Sequence, residues 1–362
     1  MSTQMRRIGI SVDWNRNFFT MDQTRSASVT EAFVRLHKSG LIYRSKRLVN
    51  WSCALKSAIS DIEVDKIEIK GRQYLSVPGY TDKVEFGVLS EFSYQIEGSN
   101  EYITVATTRL ETMLGDVAIA VHPQDIRYDK YIGKFAIHPF CDRKLSIIAD
   151  ESVELNFGTG AVKITPSHDA NDYDVGIRHG LKFINIFDDE GNITNELDLY
   201  EEYRYLLGSK RFHARKLIYE ALQQKNLFVR KYEHSYVIPI CSRTKDIIEP
   251  IIKLQWYVNC NEMSKRAIEA IESDHIKIYP SFHEKTLFHW LKNIQDWCIS
   301  RQLWWGHRIP AYYVTSSRLA SNTEDDNFWV CGTSLDQCFS IAENRFNIPR
   351  SEITLTQDED VL

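Results

Sequence analysis

Several things are scarce in this chain. No apolar run approaches the ~20 residues that a membrane-spanning helix requires, so no membrane partner is predicted. The opening residues, MSTQMRRIGISVDWNR, lack the apolar core of a secretory leader, and the cytoplasm is the expected compartment. Cysteine is sparse: seven, at 53, 141, 241, 260, 298, 331 and 338, are scattered without a CxxC pair. An odd, dispersed set predicts reduced thiols that mostly serve as small buried apolar residues. It excludes a disulfide framework and a self-contained zinc site. Charge of one sign is not in excess either: 44 Lys and Arg against 49 Asp and Glu leave a net −5. That argues against a surface coated by nucleic acid, although a local basic patch remains open. No internal repeat or low-complexity segment is found.

What is there fits a soluble globular protein. The 362 residues are 43% hydrophobic and 26% charged, enough for a sizeable core and for two or three domains. Residues 25–43, with Val29, Ala32, Phe33 and Leu36 at helical spacing, predict a helix that Gly40 stops. From Val77 the texture changes. Runs at 84–96, 102–109, 117–123, 135–140, 144–150 and 161–166 are β-like and broken by Gly, Asn, Ser and Pro. They predict a β-rich domain of about 150 residues, barrel-like or sandwich-like, decorated by helices near 170–179 and 211–226. After Tyr232 come a strand at 235–240, a helix at 262–273 and a stretch at 281–306 that is helical first and then aromatic and buried. Residues 315–328 read as a polar surface loop. The fold class is therefore α/β with an inserted β-rich domain.

Two stretches carry chemistry. In GTGAVKITPSHDANDYDVG, residues 158–176, Lys163 and Thr165 share one face of a strand. Asp169 and Asp172 sit three apart at a helix start, where they can converge. The turn Pro166-Ser167-His168 would gather all four. Such a group can hold an ammonium and a hydroxyl together. A purely structural account is also open, with Asp169 as N-cap and Asp172 as its N3 partner in a near capping box. In VATTRLETMLGDVAIAVHP, residues 105–123, Thr107, Thr108 and Thr112 flank Arg109. There Thr108 to Glu111 also fits a capping box.

Together, TTRLETMLGD and GTGAVKITPSHDANDYDVG resemble the editing domain of the class I aminoacyl-tRNA synthetases for valine, isoleucine and leucine, the valine type above all. IGISVDWNRNFFTMD (8–22), LVNWSCALKSAISDIEV (48–64), IEPIIKLQWYV (248–258) and DWCISRQLWWGHRIPAYYV (296–314) extend the resemblance over essentially the whole chain. It implies Rossmann-type catalytic domain parts at 1–74 and 233–362 around an inserted editing domain at 75–232. Proteins of this type attach valine to its tRNA with ATP and magnesium, and their middle domain hydrolyses threonine wrongly attached to valine tRNA. A hydrophobic pocket rejects an added hydroxyl by only about a hundredfold, a figure that belongs to the valine enzymes rather than to this sequence. A second site that binds the hydroxyl is the remedy.

By resemblance, Asp172 would hold the α-ammonium, while Lys163, Thr165 and Asp169 would read the threonine hydroxyl. Thr107, Arg109 and Thr112 would line the other wall, towards the terminal adenosine and the ester. The candidate catalytic set is thus Asp172, Asp169, Lys163, Thr165 and Arg109. The substrate-binding set is Thr107, Thr108, Thr112, Asp172 and His168, with His168 a packing or hydrogen-bonding residue rather than a base. Editing needs no cofactor. The family often has proline where Leu110 stands, and bacterial forms carry paired cysteines able to bind zinc. Here Cys53 and Cys241 alone stand near those places, so no metal is predicted. The ATP-cradling signatures HIGH and KMSKS are absent: GHRI (306–309) is not the first, and EMSKR (262–266) opens an amphipathic helix. The expected whole is an internal piece of a synthetase, with exposed apolar surface on its flanks. A catalytically silent tRNA-binding module is the alternative. Arg6-Arg7, Arg44-Lys46-Arg47 and Arg230-Lys231 are candidate tRNA contacts or ordinary solvated surface.

Overall fold

The computed structural model describes residues 1–155 and 157–362. The chain forms two compact units: Lys46–Leu254, and Met1–Ser45 together with Gln255–Leu362. The second unit is thus made of the two segments that flank the first. The central unit is wider than the 75–232 span read from the sequence. Strand Val64–Ile69 pairs antiparallel with Tyr236–Cys241, and Gln73–Leu75 pairs with Val84–Phe86. Their apolar faces, including Ile69, Phe86, Ile238 and Ile240, share a core with Phe212.

The β-like runs from Val88 onwards, joined by Phe228–Glu233, form one seven-stranded sheet. Its order is Ala161–Ile164, Ala118–Val121, Lys144–Ala149, Phe135–Ile137, Val88–Ile96 and Phe228–Glu233, and Tyr102–Thr107 also pairs with Val88–Ile96. One pairing is parallel, Ala118–Val121 with Lys144–Ala149; the others are antiparallel. The long strand Val88–Ile96 serves three neighbours in turn, and Tyr102–Thr107 lies against Ala161–Ile164. The sheet is therefore barrel-like and nearly closed. Ala118, Ile119, Ala120 and Val121 have no exposed surface. A strand this small and apolar packs with both faces covered.

Two helices dress this unit close to their expected limits, Ala170–His179 and Arg211–Gln224. The first ends at Gly180, whose φ of +61° suits a residue without a Cβ. Thr108 does not cap a helix. Leu110–Gly115 is a 3-10 helix with Arg109 at its N-cap and no side-chain cap. The Glu111 carboxylate turns instead to Arg215, at 2.7 and 2.8 Å. A charged guanidinium outcompetes the neutral backbone N–H that a capping box would satisfy.

In the other unit, Asp22 caps helix Gln23–Lys38 by accepting from Arg25 N at 2.9 Å. This helix buries Phe33 and Val34 against Trp256, Ile309 and Trp329. Strand Ala311–Thr315 lies antiparallel between Trp329–Cys331 and Thr354–Gln357. Cys338 and Ala342 of helix Leu335–Phe346 share a core with Val314 and Val330. EMSKR falls in the first turns of helix Asn261–Glu272. Trp290, Trp297, Trp304 and Trp305 are 66, 58, 96 and 56% exposed, against the burial read for the aromatic stretch and in keeping with the apolar surface expected on the flanks. Trp290 lies on helix His283–Lys292 and Trp297 on the short strand Trp297–Cys298, and neither element packs its ring into a core. Among the described residues no helix is long and apolar enough to cross a membrane.

Candidate functional site

Strand Ala161–Ile164 and the turn after it deliver Lys163 and Thr165 to one place, as their spacing requires. Lys163 Nζ donates to Thr165 Oγ1 at 2.6 Å, to Thr112 Oγ1 at 2.7 Å and to Asp116 Oδ1 at 2.9 Å. The Thr165 hydroxyl itself donates to Asp116 Oδ1. The Tyr94 hydroxyl donates to Asp116 Oδ2 at 2.6 Å. Lys163, Thr165, Thr112 and Asp116 are all buried, with Asp116 fully enclosed. Burial pushes the Asp116 carboxyl up, against the opposing pull of the Lys163 ammonium and the bonds from Thr165 and Tyr94. Gly115 lets the chain pass here: a Cβ on it would lie 2.9 Å from Ile186 Cγ2 and 3.0 Å from Thr165 Cγ2.

The two carboxylates at the helix start divide their work. Asp169 is the N-cap, its Oδ1 accepting from Asn171 N at 2.8 Å and Asp172 N at 3.1 Å. Asp172 does not complete the capping box. Its Oδ2 accepts from Thr165 N at 2.7 Å, which pins the helix to the strand end. Burial, then the like charge of Asp169, raise the Asp172 carboxyl to about 7. A half-buried carboxyl poised near neutrality beside a second one favours an incoming cation.

Arg109 is anchored from two sides while part of its side chain stays exposed. It donates to His168 O at 2.7 Å through Nη1 and to Glu249 Oε1 through Nη2. Glu249 also takes Arg211 Nη1 at 2.9 Å, and Arg211 reaches Asp246 at 3.0 Å. Burial works against the Glu249 charge, yet Arg109, His168 and Arg211 hold its carboxyl well below the usual carboxylate range. His168 is fully buried. Its Nε2 accepts from Ile186 N at 3.0 Å, so Nδ1 carries the proton and donates to Pro250 O at 3.0 Å. Burial lowers its pKa. The ring is neutral and both nitrogens are occupied, so it offers no lone pair to a water.

The threonines separate. Thr112 joins the Lys163 cluster and donates to Arg109 O at 2.9 Å. Thr107 Oγ1 accepts from Arg109 N at 3.0 Å. Thr108 instead lines a cavity of about 430 Å³ with Tyr80, Val84, Phe212 and Arg215. Lys163, Thr165, Asp169 and Asp172 are not among that cavity's walls. Of the basic clusters, Arg230 is bonded to Glu91, Lys231 to Glu85, and Arg44 lies 4.2 Å over the Trp329 ring. Cys53 is buried, and burial pushes its thiol up to about 12. Among the described residues no three His, Cys, Asp or Glu side chains are grouped to hold a metal ion.

Asp116, Tyr94, Glu249 and Arg211 were not singled out from the sequence. For two of them the signal was present: Asp116 and Glu249 each interrupt an apolar run, and a buried charge needs a partner.

The model for tRNA synthetases class I (I, L, M and V) matches residues 1–362. The chain belongs to this family. Its relatives include a valine–tRNA ligase of Takifugu rubripes, 53% identical over 99% of this chain and 29% of its own length. The human valine–tRNA ligase is 53% identical over 99% of this chain and 28% of its own length. A mitochondrial valine–tRNA ligase of Saccharomyces cerevisiae is 50% identical over 100% of this chain and 32% of its own length. This class I synthetase chain thus spans about a third or less of the length of these relatives. A solved Agrobacterium radiobacter LeuRS–tRNA complex is 17% identical, with a TM-score of 0.31 over 100% of this chain and 45% of its own, too distant to carry an argument.

Proposed function

We propose that the central unit is the editing domain of a valine–tRNA ligase and hydrolyses threonine wrongly attached to valine tRNA. The observation that supports this most is the convergence of Lys163, Thr165, Thr112 and Asp172 at one strand-to-helix turn. In this reading Asp172 receives the α-ammonium of the misattached amino acid. The polar floor of Lys163, Thr165 and Thr112, with Asp169 beside it, meets the hydroxyl that valine lacks. Leaving the spare acceptor of that floor without its partner costs roughly 1–3 kcal/mol, which spares the valyl ester. Thr107 and Arg109 hold the adjoining wall, towards the ester and the terminal adenosine.

The chemistry is a single hydrolysis. Water adds to the ester carbonyl, the bond to the ribose oxygen breaks, and free threonine and tRNA leave. His168 does not take the role of base, since both its nitrogens are engaged, and Asp172 is given to the ammonium. The free hydroxyl of the terminal ribose orients the water instead. Valine tRNA is the partner, the cytoplasm the proposed compartment, and the flanking unit part of a Rossmann-type catalytic domain. The parent enzyme's charging of tRNA with valine, ATP and magnesium belongs to the same proposal. The residues present do not fit those two cofactors: the chain carries neither HIGH nor KMSKS. No step here runs through them.

The test is hydrolysis of threonyl-tRNA(Val) and valyl-tRNA(Val) by the purified chain, beside Asp172→Ala. Selective loss of the threonyl ester, abolished by the substitution, supports an editing site. A folded chain that hydrolyses neither ester, yet binds valine tRNA, favours the silent binding module.

A further inference from the structure

The Lys163 ammonium has three N–H donors, and all three are spent inside the protein, on Thr112, Asp116 and Thr165. The two threonine hydroxyls have one donor each, and these are spent as well, Thr112 on Arg109 O and Thr165 on Asp116 Oδ1. Each hydroxyl also accepts from Lys163 and keeps one lone pair. Tyr94 gives its only donor to Asp116 Oδ2. The cluster therefore has acceptor capacity left over and, among these side chains, no donor. Asp116 creates that imbalance, because it draws one proton from each of Lys163, Thr165 and Tyr94.

We propose that Asp116 is a positioning residue that sets the polarity of the site, so that the β-substituent of the substrate is read as a hydrogen-bond donor. This rests on the editing reading and deepens it. The substrate class is a small amino acid ester whose β-group can donate: a hydroxyl qualifies, a methyl does not. An isosteric group that only accepts is treated as a methyl is. Asp116 touches no substrate. It acts through Lys163 and Thr165, whose orientation it fixes from beneath. Since the network is closed before substrate arrives, no lysine donor has to be turned at the moment of binding.

The experiment compares three esters of valine tRNA: threonyl, valyl and 2-amino-3-fluorobutyryl. Fluorine is about the size of a hydroxyl and accepts weakly but cannot donate. With the wild-type chain, we expect the fluoro ester to be hydrolysed within about threefold of the valyl rate. Asp116→Asn should reduce the threonyl-to-valyl ratio at least tenfold. In a Lys163→Met background the same change should have little further effect, since Asp116 works through Lys163. Tyr94→Phe, a milder change that keeps the carboxylate, should lower the ratio several-fold with the melting transition retained. A fluoro ester turned over at the threonyl rate would overturn the donor polarity. A folded Asp116→Asn or Tyr94→Phe chain with full discrimination would overturn the role of Asp116. If the wild-type chain does not prefer the threonyl ester at all, the editing reading itself fails, and that outcome is distinct from both.

Discussion

Replacing Glu249 by glutamine should destabilise the central unit heavily. Its carboxylate is 1% exposed and serves Arg109 and Arg211 together. The substitution keeps the size and one acceptor oxygen but removes the charge. Two guanidiniums, one of them Arg211 at 2% exposure, then share fewer carboxylates in a buried place. Breaking a buried ion pair by removing one partner costs about 3–5 kcal/mol. For a unit of roughly 200 residues, each kcal/mol moves the melting temperature by about 2–4 °C, so a drop of about 6–20 °C is expected. Acid provides a second readout. The folded Glu249 carboxyl is held below its ordinary value. Its stabilisation is therefore complete above about pH 4.3 and drains as the pH falls towards the folded value. Wild-type protein should lose stability over that acid range, and Glu249→Gln should lose less of it. Thermal melts of both proteins at several pH values decide the matter. A shift under 2 °C at neutral pH, or an unchanged acid slope, would refute the claim that this carboxylate is the charged centre of the network. Exposed pairs such as Arg35 with Glu31, 77 and 46% exposed, should show no measurable shift when broken.

Raised to about 7 by burial and then by Asp169, Asp172 should make threonyl-ester hydrolysis climb with pH through neutrality, because only the carboxylate binds an ammonium. Asp169→Asn, which can still cap the helix, should move that midpoint to lower pH in a rate profile. The same raised value means that the folded state favours the neutral carboxyl, so its stability contribution falls as the pH rises towards 7. Asp172→Asn should therefore raise the melting temperature at alkaline pH while abolishing discrimination. Gly176→Ala places a Cβ 2.8 Å from the Pro166 ring, and overpacking of about 1–3 kcal/mol should outweigh the gain in helix propensity in a denaturant melt. Trp304, 96% exposed, should tolerate Trp304→Ser within about 0.5 kcal/mol by the same melt, with improved solubility as the visible effect.

The local pattern around the turn was legible because it rests on short periods. Two residues apart on a strand and three apart on a helix are nearly geometric statements, and Lys163, Thr165, Asp169 and Asp172 obey them. The helices at 170 and 211 were legible for the same reason. The capping box written at Thr108 to Glu111 was not honoured, because Arg215 lies over a hundred residues away in sequence and competes for Glu111. Asp116 and Glu249 escaped for a related reason: their partners come from strands and helices that only the closed sheet brings together. The aromatic run after residue 290 carried two expectations, burial and an exposed apolar flank, and its exposed tryptophans follow the second. Tryptophan usually counts as core, but burial needs a partner surface, and composition carries no record of one.

A site of this kind gains selectivity from what is left unmade. The apolar pocket problem that threonine poses cannot be solved by excluding a hydroxyl, since little distinguishes its shape from a methyl. It can be solved by a floor whose polar atoms are already bound to one another and lack only one proton. In the proposed editing site Lys163, Asp116, Thr165 and Thr112 would form such a floor, held from below by Tyr94 and from the side by Asp172 on the Thr165 N–H. Rigidity then matters as much as identity. Loosening any one member lets Lys163 swing a donor outward, and the floor would then accept an acceptor as readily as a donor. Of the two positions that do this without touching substrate, Tyr94 is the one where a change should cost discrimination before it costs folding, because Asp116 also pairs the buried Lys163 ammonium.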